Sequence, residues 1–166
     1  IKGFDLLLEA WALVCKEVDE TWILNIVGGG VEDSNLKQLA KKLGIEERVV
    51  FSGQQKEIDV FYKEASIYCL SSRNEGFPMV LLEAQSYGLP IVAFDCDTGP
   101  AEIVVEGTGC LVKSRDITLF ANQLLRLILI NQVGYENMCQ LSKKNNKNYY
   151  LDKIIKKWIL EIIGNN

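Results

Sequence analysis

Short apolar segments alternate with helix-like segments along this chain, and the alternation limits its fold more than any other feature. We predict strands at Thr21–Val27, Val49–Phe51, Ile67–Leu70, Ile91–Phe94 and Gly109–Val112. We predict helices at Phe4–Val18, Asn35–Leu43, Ile58–Glu64, Met79–Tyr87, Ile117–Ile130, Glu136–Lys144 and Leu151–Ile163. Continuous apolar strands separated by helices are typical of a parallel sheet covered on both faces. The sequence therefore predicts an α/β fold with a Rossmann-like, doubly wound parallel sheet.

The domain organisation is simple. The chain has 166 residues, three prolines and no repeat or linker, so we expect residues 1–166 to form a single domain. It opens on a helix, which predicts that a first strand is absent, and no leader peptide is visible although the first residue is Ile1. The terminal helix, in residues 150–166, is expected to pack back on the core or toward a partner domain. Its apolar stripe consists of Ile154, Ile155, Trp158, Ile159 and Ile162.

The charge distribution narrows the classes of function. Residues 1–140 contain 12 Lys and Arg against 20 Asp and Glu, which argues against nucleic-acid binding. Residues 141–166 contain 6 Lys against 2 acidic residues, which indicates either a solvated helix face or peripheral contact with an anionic membrane surface. No apolar segment is long enough to span a bilayer.

The composition also limits the chemistry. The sequence has no histidine, which removes the commonest general base and the commonest metal ligand. Its five cysteines are odd in number and form no CxxC pair, so we expect neither a disulfide framework nor a zinc site. A reducing cytoplasm fits this cysteine content best.

Glycines and polar residues cluster where the predicted strands end. These clusters are Gly28–Gly30, Ser52–Gly53, Ser71–Glu75 and Asp95–Pro100. Ligands of open α/β sheets bind at the carboxyl ends of the strands, so the clusters predict one ligand site at this edge of the sheet.

The segment from Ser71 to Ala84 carries the strongest chemical signal. Pro78 opens a helix, and the free N–H groups and dipole of a first helical turn favour an anion such as a phosphate. Glu83 interrupts an apolar run, where a carboxylate is costly to bury unless something binds it. Glu75 lies just before the helix, so the two carboxylates flank its start. They either bind hydroxyl groups on both sides of a diphosphate, or face solvent and serve only the helix terminus.

An E-x7-E spacing with Gly-Phe-Pro after the first Glu resembles the signature of retaining GT-B glycosyltransferases of the group 1, or family 4, type. Other segments up to about Ile130 resemble that family in the same order. They are Lys2–Leu7 (KGFDLL), Ile26–Gly30 (IVGGG), Val50–Gly53 (VFSG), Tyr87–Ala93 (YGLPIVA) and Asp97–Val104 (DTGPAEIV). The resemblance implies the donor-binding, C-terminal half of a two-domain GT-B enzyme, and a missing N-terminal domain as its partner.

The resemblance also implies roles for individual residues. Glu75 would contact the donor sugar near the reacting centre, Glu83 would hold the ribose hydroxyls, and Lys2 would add positive charge to the diphosphate. Arg73 would either add charge there or lie at the surface. The segment that binds the diphosphate through backbone N–H groups would be Gly76, Phe77, Pro78, Met79, Val80 and Leu81. The residues beside the base would be Ser52, Gly53 and Gln54.

The implied reaction is retaining transfer from a nucleotide sugar, UDP-linked first and GDP-linked second, to a glycan or lipid-linked acceptor in surface polysaccharide synthesis. No metal or cofactor is expected, and the Asp95-Cys96-Asp97 spacing is interpreted as structural. Glu102 either steadies a closing loop or caps a short helix. The isolated domain is expected to bind donor without transferring sugar.

Two other functions compete with this interpretation. They are a non-catalytic nucleotide-sugar-binding or interaction domain and a GT-B sugar-nucleotide epimerase. A dinucleotide oxidoreductase is disfavoured because Asp33 stands where a G-x-G-x-x-G motif needs its third glycine.

Overall fold

In the computed structural model, which describes residues 1–113 and 115–163, short strands alternate with helices as the sequence predicts. The strands are β1 (Leu24–Val27), β2 (Val49–Gly53), β3 (Tyr68–Leu70), β4 (Ile91–Asp95) and β5 (Gly109–Lys113). The helices are α1 (Phe4–Val14), α2 (Asp33–Lys42), α3 (Asp59–Glu64), α4 (Met79–Ser86), α5 (Pro100–Ile103), α6 (Ile117–Ile128), α7 (Gln132–Asn146) and α8 (Leu151–Trp158). Short 3₁₀ turns cover Glu46–Arg48 and Lys147–Tyr149, and a π-helical turn covers Ile159–Ile163.

All strand pairs are parallel, and they form two hydrogen-bonded groups. In one group β1 pairs with β2, and in the other β4 lies between β3 and β5. In the doubly wound order 3-2-1-4-5-6, the two groups correspond to strands 3-2 and 4-5-6. The strand numbered 1 in that order has no counterpart among the strands of the described residues.

Side chains join the two strand groups into one core. Leu8 and Val14 of α1 are fully buried, and they belong to the same apolar cluster as Ile26 of β1 and Phe94 of β4. The Phe94 ring packs against Phe120 of α6 with ring centroids 4.8 Å apart. Burial of each side chain of this size stabilises the fold by about 2 kcal/mol. Apolar packing therefore holds the two strand groups together, although they share no hydrogen bonds between strands in the described part of the chain.

A second apolar cluster lies beneath α4. Leu81 and Leu82 pack there against Ile91 and Ile103. The carbonyl of Leu82 accepts a 2.6 Å hydrogen bond from Asn146 Nδ2, which ties α4 to the end of α7. The helix that follows the proposed anion-binding loop is therefore fixed on its buried side.

The structure corrects two element bounds near the amino terminus. α1 ends at Val14 rather than Val18, and β1 begins at Leu24 rather than Thr21. Polar side chains take up the backbone between them: Asp19 accepts from the Thr21 N–H at 2.9 Å, and Arg48 Nε donates to the Trp22 carbonyl at 3.1 Å. The Thr21 N–H and the Trp22 carbonyl therefore bond to side chains, and they take part in neither the helix nor the strand.

Helix bounds in the carboxyl-terminal part also differ from the prediction, including the ends of α7 at Asn146 and of α8 at Trp158. α7 starts at Gln132 rather than Glu136 because the Asn131 side chain accepts from the Gly134 N–H at 2.8 Å and caps the helix. α6 ends at Ile128 rather than Ile130. Its start at Ile117 agrees with the prediction.

The apolar stripe of the terminal helix is largely exposed. Ile155 is 47% exposed, Trp158 63% and Ile159 50%, while Ile154 is half-buried. Ile155, Trp158 and Ile159 thus have large exposed surfaces, and packing of the stripe on the core or toward a partner domain stays a prediction. The side chain of Ile162 and residues 164–166 of the predicted segment lie outside what the structure describes.

Two further features bear on the sequence analysis. All five cysteines are free, and Cys96 alone among them is buried. Within the described residues, no individual helix has both the length and the apolar character needed to cross a membrane. The pair Ile117–Ile128 and Gln132–Tyr149 meets those criteria together, with a bend of 108° between its two helices.

Candidate functional site

The loop after β3 lies against the first residues of the chain. Ser71 Oγ donates to the Lys2 carbonyl at 3.0 Å, and the Arg73 N–H donates to the Ile1 carbonyl at 2.9 Å. The backbone approach is close, because a Cβ built on Gly3 would lie 2.0 Å from the Ser71 carbonyl oxygen. These contacts bring Lys2 to the carboxyl end of β3.

Lys2 and Glu75 form an ion pair at this edge. Lys2 Nζ lies 2.9 Å from Glu75 Oε1, and the same oxygen accepts from Ser72 Oγ at 2.5 Å. The Glu75 side chain is only 12% exposed. Burial raises the pKa of Glu75, but the hydrogen bonds from Ser72 and Lys2 and the Lys2 charge outweigh it and leave the pKa below its usual value. Glu75 is therefore an ionised carboxylate near neutral pH.

The helix that follows this loop offers backbone donors. α4 starts at Met79 after Pro78, and the Leu81 N–H already donates to the Pro78 carbonyl at 2.9 Å. By helix geometry the N–H groups of Met79 and Val80 have no acceptor within the helix. The Leu81 side chain is fully buried, so this residue anchors the helix to the core.

The loop before the helix is more open. Gly76 is exposed, and Phe77 is 43% exposed with its ring centroid 6.1 Å from that of Tyr149. Tyr149 also donates its hydroxyl to the Glu102 carbonyl. One tyrosine near the end of the chain thus contacts both the Gly76–Pro78 loop and the neighbouring loop after β4.

The loop after β4 holds the Glu75 loop in place. Thr98 Oγ1 donates to the Glu75 carbonyl at 2.6 Å, and Cys96 Sγ donates to the Ser72 carbonyl at 3.0 Å. Gly99 has φ +94°, and a Cβ at this position would lie 2.5 Å from both the Gly76 carbonyl oxygen and Pro78 Cδ. Only glycine fits such a contact in this backbone conformation.

Glu102 and the Asp95-Cys96-Asp97 segment lie in the same region. Glu102 is an exposed residue of the four-residue helix α5, whose start at Gly99 has no side-chain cap. Asp95 and Asp97 line an open pocket together with Glu102. Within residues 1–113 and 115–163, no group of three or more His, Cys, Asp or Glu side chains has an arrangement suited to a metal ion.

Glu83 is half-buried on α4 and has a hydrogen-bond partner. The hydroxyl of Tyr62 on α3 donates to Glu83 Oε2 at 2.9 Å. Glu83 is thus partly shielded from solvent and bonded to a side chain of the same chain, and its binding of ribose hydroxyls stays a prediction.

The segment after β2 is folded back on itself. The Gly53 carbonyl accepts from the Gly28 N–H at 2.8 Å, and the Ser52 carbonyl accepts from Gln55 Nε2 at 2.5 Å. Ser52 Oγ lies 2.7 Å from Asn25 Oδ1, and Gln54 is exposed. The predicted position of Ser52, Gly53 and Gln54 beside a base stays a prediction.

Arg73 is engaged by an acid of α1. Its Nη1 donates to Asp5 Oδ1 at 2.8 Å, and its Nη2 pairs with Asp5 Oδ2. This bidentate pair holds the pKa of Asp5 below its usual value and raises that of Arg73. The arrangement gives Arg73 a structural role in fixing the loop, while its predicted contact with a ligand stays a prediction.

Comparison with known proteins identifies the kind of molecule that carries these loops. The family described as "Glycosyl transferases group 1" matches residues 1–149. The chain belongs to this family. The GT-B glycosyltransferase fold recognised in the sequence is confirmed by its solved structural neighbours.

Three proteins illustrate the similarity. An uncharacterized glycosyltransferase of Haemophilus influenzae is 40% identical over 95% of this chain and 44% of its own length. The amylovoran biosynthesis glycosyltransferase AmsD of Erwinia amylovora is 40% identical over 95% of this chain and 43% of its own. A crystal structure of S. aureus TarM with UDP superimposes with a TM-score of 0.86 at 26% identity, covering 95% of this chain and 32% of that one. The chain thus spans less than half the length of these three proteins.

Sequence reasoning missed several residues that build the site. Tyr62, Ser72 and Thr98 each bond to Glu75 or Glu83, yet each lies outside the residues predicted to bind a ligand. Ser72 and Thr98 sit in the polar clusters at strand ends, which was an available signal. Tyr62 lies on a short helix distant from these clusters in sequence, and no local pattern connects it with Glu83.

Proposed function

We propose that this chain is the donor-binding domain of a retaining glycosyltransferase, which transfers a sugar from a UDP-sugar to a glycan or lipid-linked acceptor in surface polysaccharide synthesis. The observation that carries the proposal is the ion pair of Lys2 with Glu75 immediately before the amino terminus of α4. Family membership supports the reaction class. The similarity to an amylovoran biosynthesis enzyme and to a TarM structure with UDP supports the pathway type and the donor.

Stabilisation of the departing nucleoside diphosphate is the main task proposed for this domain. The bond between the anomeric carbon and the diphosphate oxygen breaks, and negative charge accumulates on the leaving group. Lys2 and the backbone N–H groups of Met79 and Val80 are placed to receive that charge, with help from the α4 dipole. Glu83 binds the ribose hydroxyls of the same nucleotide, and Ser52–Gln54 lie beside the base.

Glu75 is proposed to act on the donor sugar. Its ionised carboxylate, held by Ser72 and Lys2, can stabilise positive charge that develops at the anomeric carbon as the leaving group departs. The acceptor hydroxyl then bonds to that carbon on the face the diphosphate leaves, and its proton is released with the products. The sugar is transferred with retained configuration.

The acceptor side of the reaction is proposed to lie outside this chain, in a second Rossmann-like domain. The coverage of about 44% of a 40% identical relative supports this.

We further propose a cytoplasmic enzyme in peripheral contact with the inner membrane face through the basic residues of 141–166. Co-sedimentation with vesicles tests this contact, because binding should require anionic lipid and fall as salt is raised; binding to neutral vesicles alone would contradict it.

Calorimetric titration of the full-length protein with UDP, GDP and their sugar conjugates tests donor binding. We expect one nucleotide to bind with a dissociation constant between about 1 μM and 1 mM, the usual range for enzyme substrates. Glu83→Gln should weaken that binding by about tenfold, since it removes a charged acceptor of two hydroxyl hydrogen bonds. Glu64→Gln, on an exposed glutamate of α3, is the matched control and should leave binding unchanged.

Rate measurements separate binding from chemistry. Glu75→Gln should lower kcat by about 100-fold while nucleotide affinity changes by less than about threefold, because the charge is needed mainly in the transition state. Residues 1–166 alone should bind donor without transferring sugar. Folded full-length protein that binds none of the nucleotides would instead support an interaction module, and an inverted product would exclude the retaining mechanism.

A further inference from the structure

Three tyrosines stack near Glu83. Tyr62 of α3 stacks with both Tyr68 of β3 and Tyr87, which follows α4. The Tyr62 and Tyr87 ring centroids are 5.2 Å apart with planes inclined by 9°, and those of Tyr62 and Tyr68 are 5.9 Å apart with planes inclined by 28°. A ring stacked with two neighbouring rings has little freedom to tilt. The stack therefore fixes the direction in which the Tyr62 hydroxyl points.

That direction is toward Glu83. The Tyr62 hydroxyl donates to Glu83 Oε2 at 2.9 Å in a part-buried setting. Burial, followed by the neighbouring Tyr68 and Glu83, raises the pKa of Tyr62 above its ordinary value, so the phenol keeps its proton at neutral pH. The Tyr62 hydroxyl is then a protonated donor whose direction is restricted by the ring stack. It bonds to a carboxylate that can otherwise rotate.

We infer that Tyr62 is a positioning residue of the nucleotide site, which orients the Glu83 carboxylate for the two vicinal hydroxyls of a ribose. A carboxylate has about four lone-pair positions, and Tyr62 uses one of them, so acceptor positions remain for both hydroxyls. Both hydroxyls can bond to one carboxylate only when its plane faces the diol, and the Tyr62 bond restricts that plane. The inference rests on the proposed function, because it assigns the ligand of Glu83.

The competing explanation is that Tyr62 only satisfies a half-buried carboxylate and stabilises the packing of α3 on α4. The two explanations differ in what they predict for a nucleotide without ribose hydroxyls. A positioning role affects the binding of UDP alone, whereas a packing role affects UDP and its 2′,3′-dideoxy analogue equally.

The experiment titrates full-length wild type and Tyr62→Phe with UDP and with 2′,3′-dideoxy-UDP, or with the guanosine pair if GDP is the nucleotide that binds. Phenylalanine retains the ring stack and removes only the hydroxyl. We expect UDP affinity to fall roughly three- to tenfold, the range expected for one net hydrogen bond, and dideoxy-UDP affinity to stay within about twofold. In transfer assays the KM for the nucleotide sugar should rise by the same factor with kcat nearly unchanged.

Tyr87→Phe is the matched control. It has the same ring in the same stack, but its hydroxyl forms its hydrogen bond with Asp59, and Glu83 acts on it only through its charge, so both nucleotides should bind as in wild type. Equal weakening of UDP and dideoxy-UDP by Tyr62→Phe, or no weakening of either, would overturn the inference.

Glu83→Gln separates this inference from the proposed function. If wild type prefers UDP to dideoxy-UDP and Glu83→Gln removes the preference while Tyr62→Phe keeps it, the inference fails and the nucleotide site stands. If wild type shows no preference, ribose recognition by Glu83 fails, and the role of Tyr62 fails with it.

Discussion

The loops after β3 and β4 are bound to each other, whereas the loop after β2 is bound mainly to itself and to its neighbour strand. Glu75 and Ser72 of the first loop accept hydrogen bonds from Thr98 and Cys96 of the second. Ser52 and Gly53 are the last residues of β2. The Ser52 carbonyl accepts from the side chain of Gln55 in the loop after β2, and the Gly53 carbonyl accepts from the Gly28 N–H after β1.

Burial follows the same division. β4 is buried in all residues but the last, while Val50 in β2 is 47% exposed and α3 has no buried residue. The loop proposed to meet the diphosphate is itself exposed at Gly76 and Phe77, but it is anchored by bonds to the loop after the buried β4 and by the buried Leu81 of α4, which suits the stabilisation of charge by donors that do not move. The region proposed to meet the base lies on the surface, where contacts can change at little cost in stability.

The largest effect is expected where the two loops touch. Gly99→Ala places a Cβ against Gly76 and Pro78 at a φ of +94°, so we expect a loss of about 2–4 kcal/mol in the free energy of unfolding, from strain and overpacking. Urea denaturation measures this loss. Gly30→Ala in the other region is the control: its Cβ would meet nothing within 4 Å, and we expect a change below about 0.5 kcal/mol. Equal effects would remove the distinction between the regions.

A smaller effect is expected from the buried polar contacts under α4. Gln85 is fully buried, donating to the Ile103 carbonyl at 3.1 Å and accepting from Asn145 at 3.0 Å. Gln85→Ala should cost about 2–3 kcal/mol, because it leaves a cavity and removes one of the two hydrogen bonds of the half-buried Asn145 amide, which keeps its bond to the Ile103 carbonyl. Ser52→Ala removes the exposed contact with Asn25 and should cost less than about 0.5 kcal/mol. Thermal unfolding of both variants makes the comparison.

The smallest effect concerns the pair that fastens the β3 loop to α1. The pKa of Asp5 lies below its ordinary value of 3.8, chiefly through the hydrogen bond from Arg73. A lowered folded-state pKa adds stability above the unfolded-state pKa, and this contribution disappears as the pH falls through the folded value. Asp5→Asn should thus cost at most about 1 kcal/mol at pH 7, since the pair is partly exposed, and this cost should shrink as the pH falls through the folded-state pKa.

Arg73→Gln and the double variant complete this test. The coupling energy between the two positions should be present at pH 7 and absent in acid. A coupling that persists in acid would show that packing rather than charge links the residues. Nucleotide affinity of folded Arg73→Gln also decides between the two roles open to this arginine: a drop supports contact with the donor, and no change leaves the loop-fixing role alone.

The fold could be predicted because its signals are local. Apolar strands, Gly stops and Pro78 at a helix start each depend on neighbours in sequence, and they placed every strand of the described chain to within a few residues. The misplaced bounds near Val14 and Thr21 arose where Asp19 and Arg48 bind backbone groups from outside the elements.

The site was predictable only in part for a related reason. The Glu75 to Glu83 segment is continuous, so its loop and helix could be inferred from spacing. The Tyr62–Glu83 and Arg73–Asp5 contacts join residues 21 and 68 positions apart, and they depend on how elements pack in three dimensions. Side chains that support a site from other elements leave little trace in the local pattern.

The reaction rate of the Cys96 thiol can report how often the loops after β3 and β4 separate. It is 7% exposed, it donates to the Ser72 carbonyl, and burial raises its pKa, so it should react slowly with an alkylating reagent while the two loops are bound and faster once they separate. The rate of Cys96 alkylation, followed by peptide mass spectrometry, would then measure how readily the two loops separate. A bound nucleotide that holds the two loops together would lower the alkylation rate of Cys96 without any change in the thiol itself.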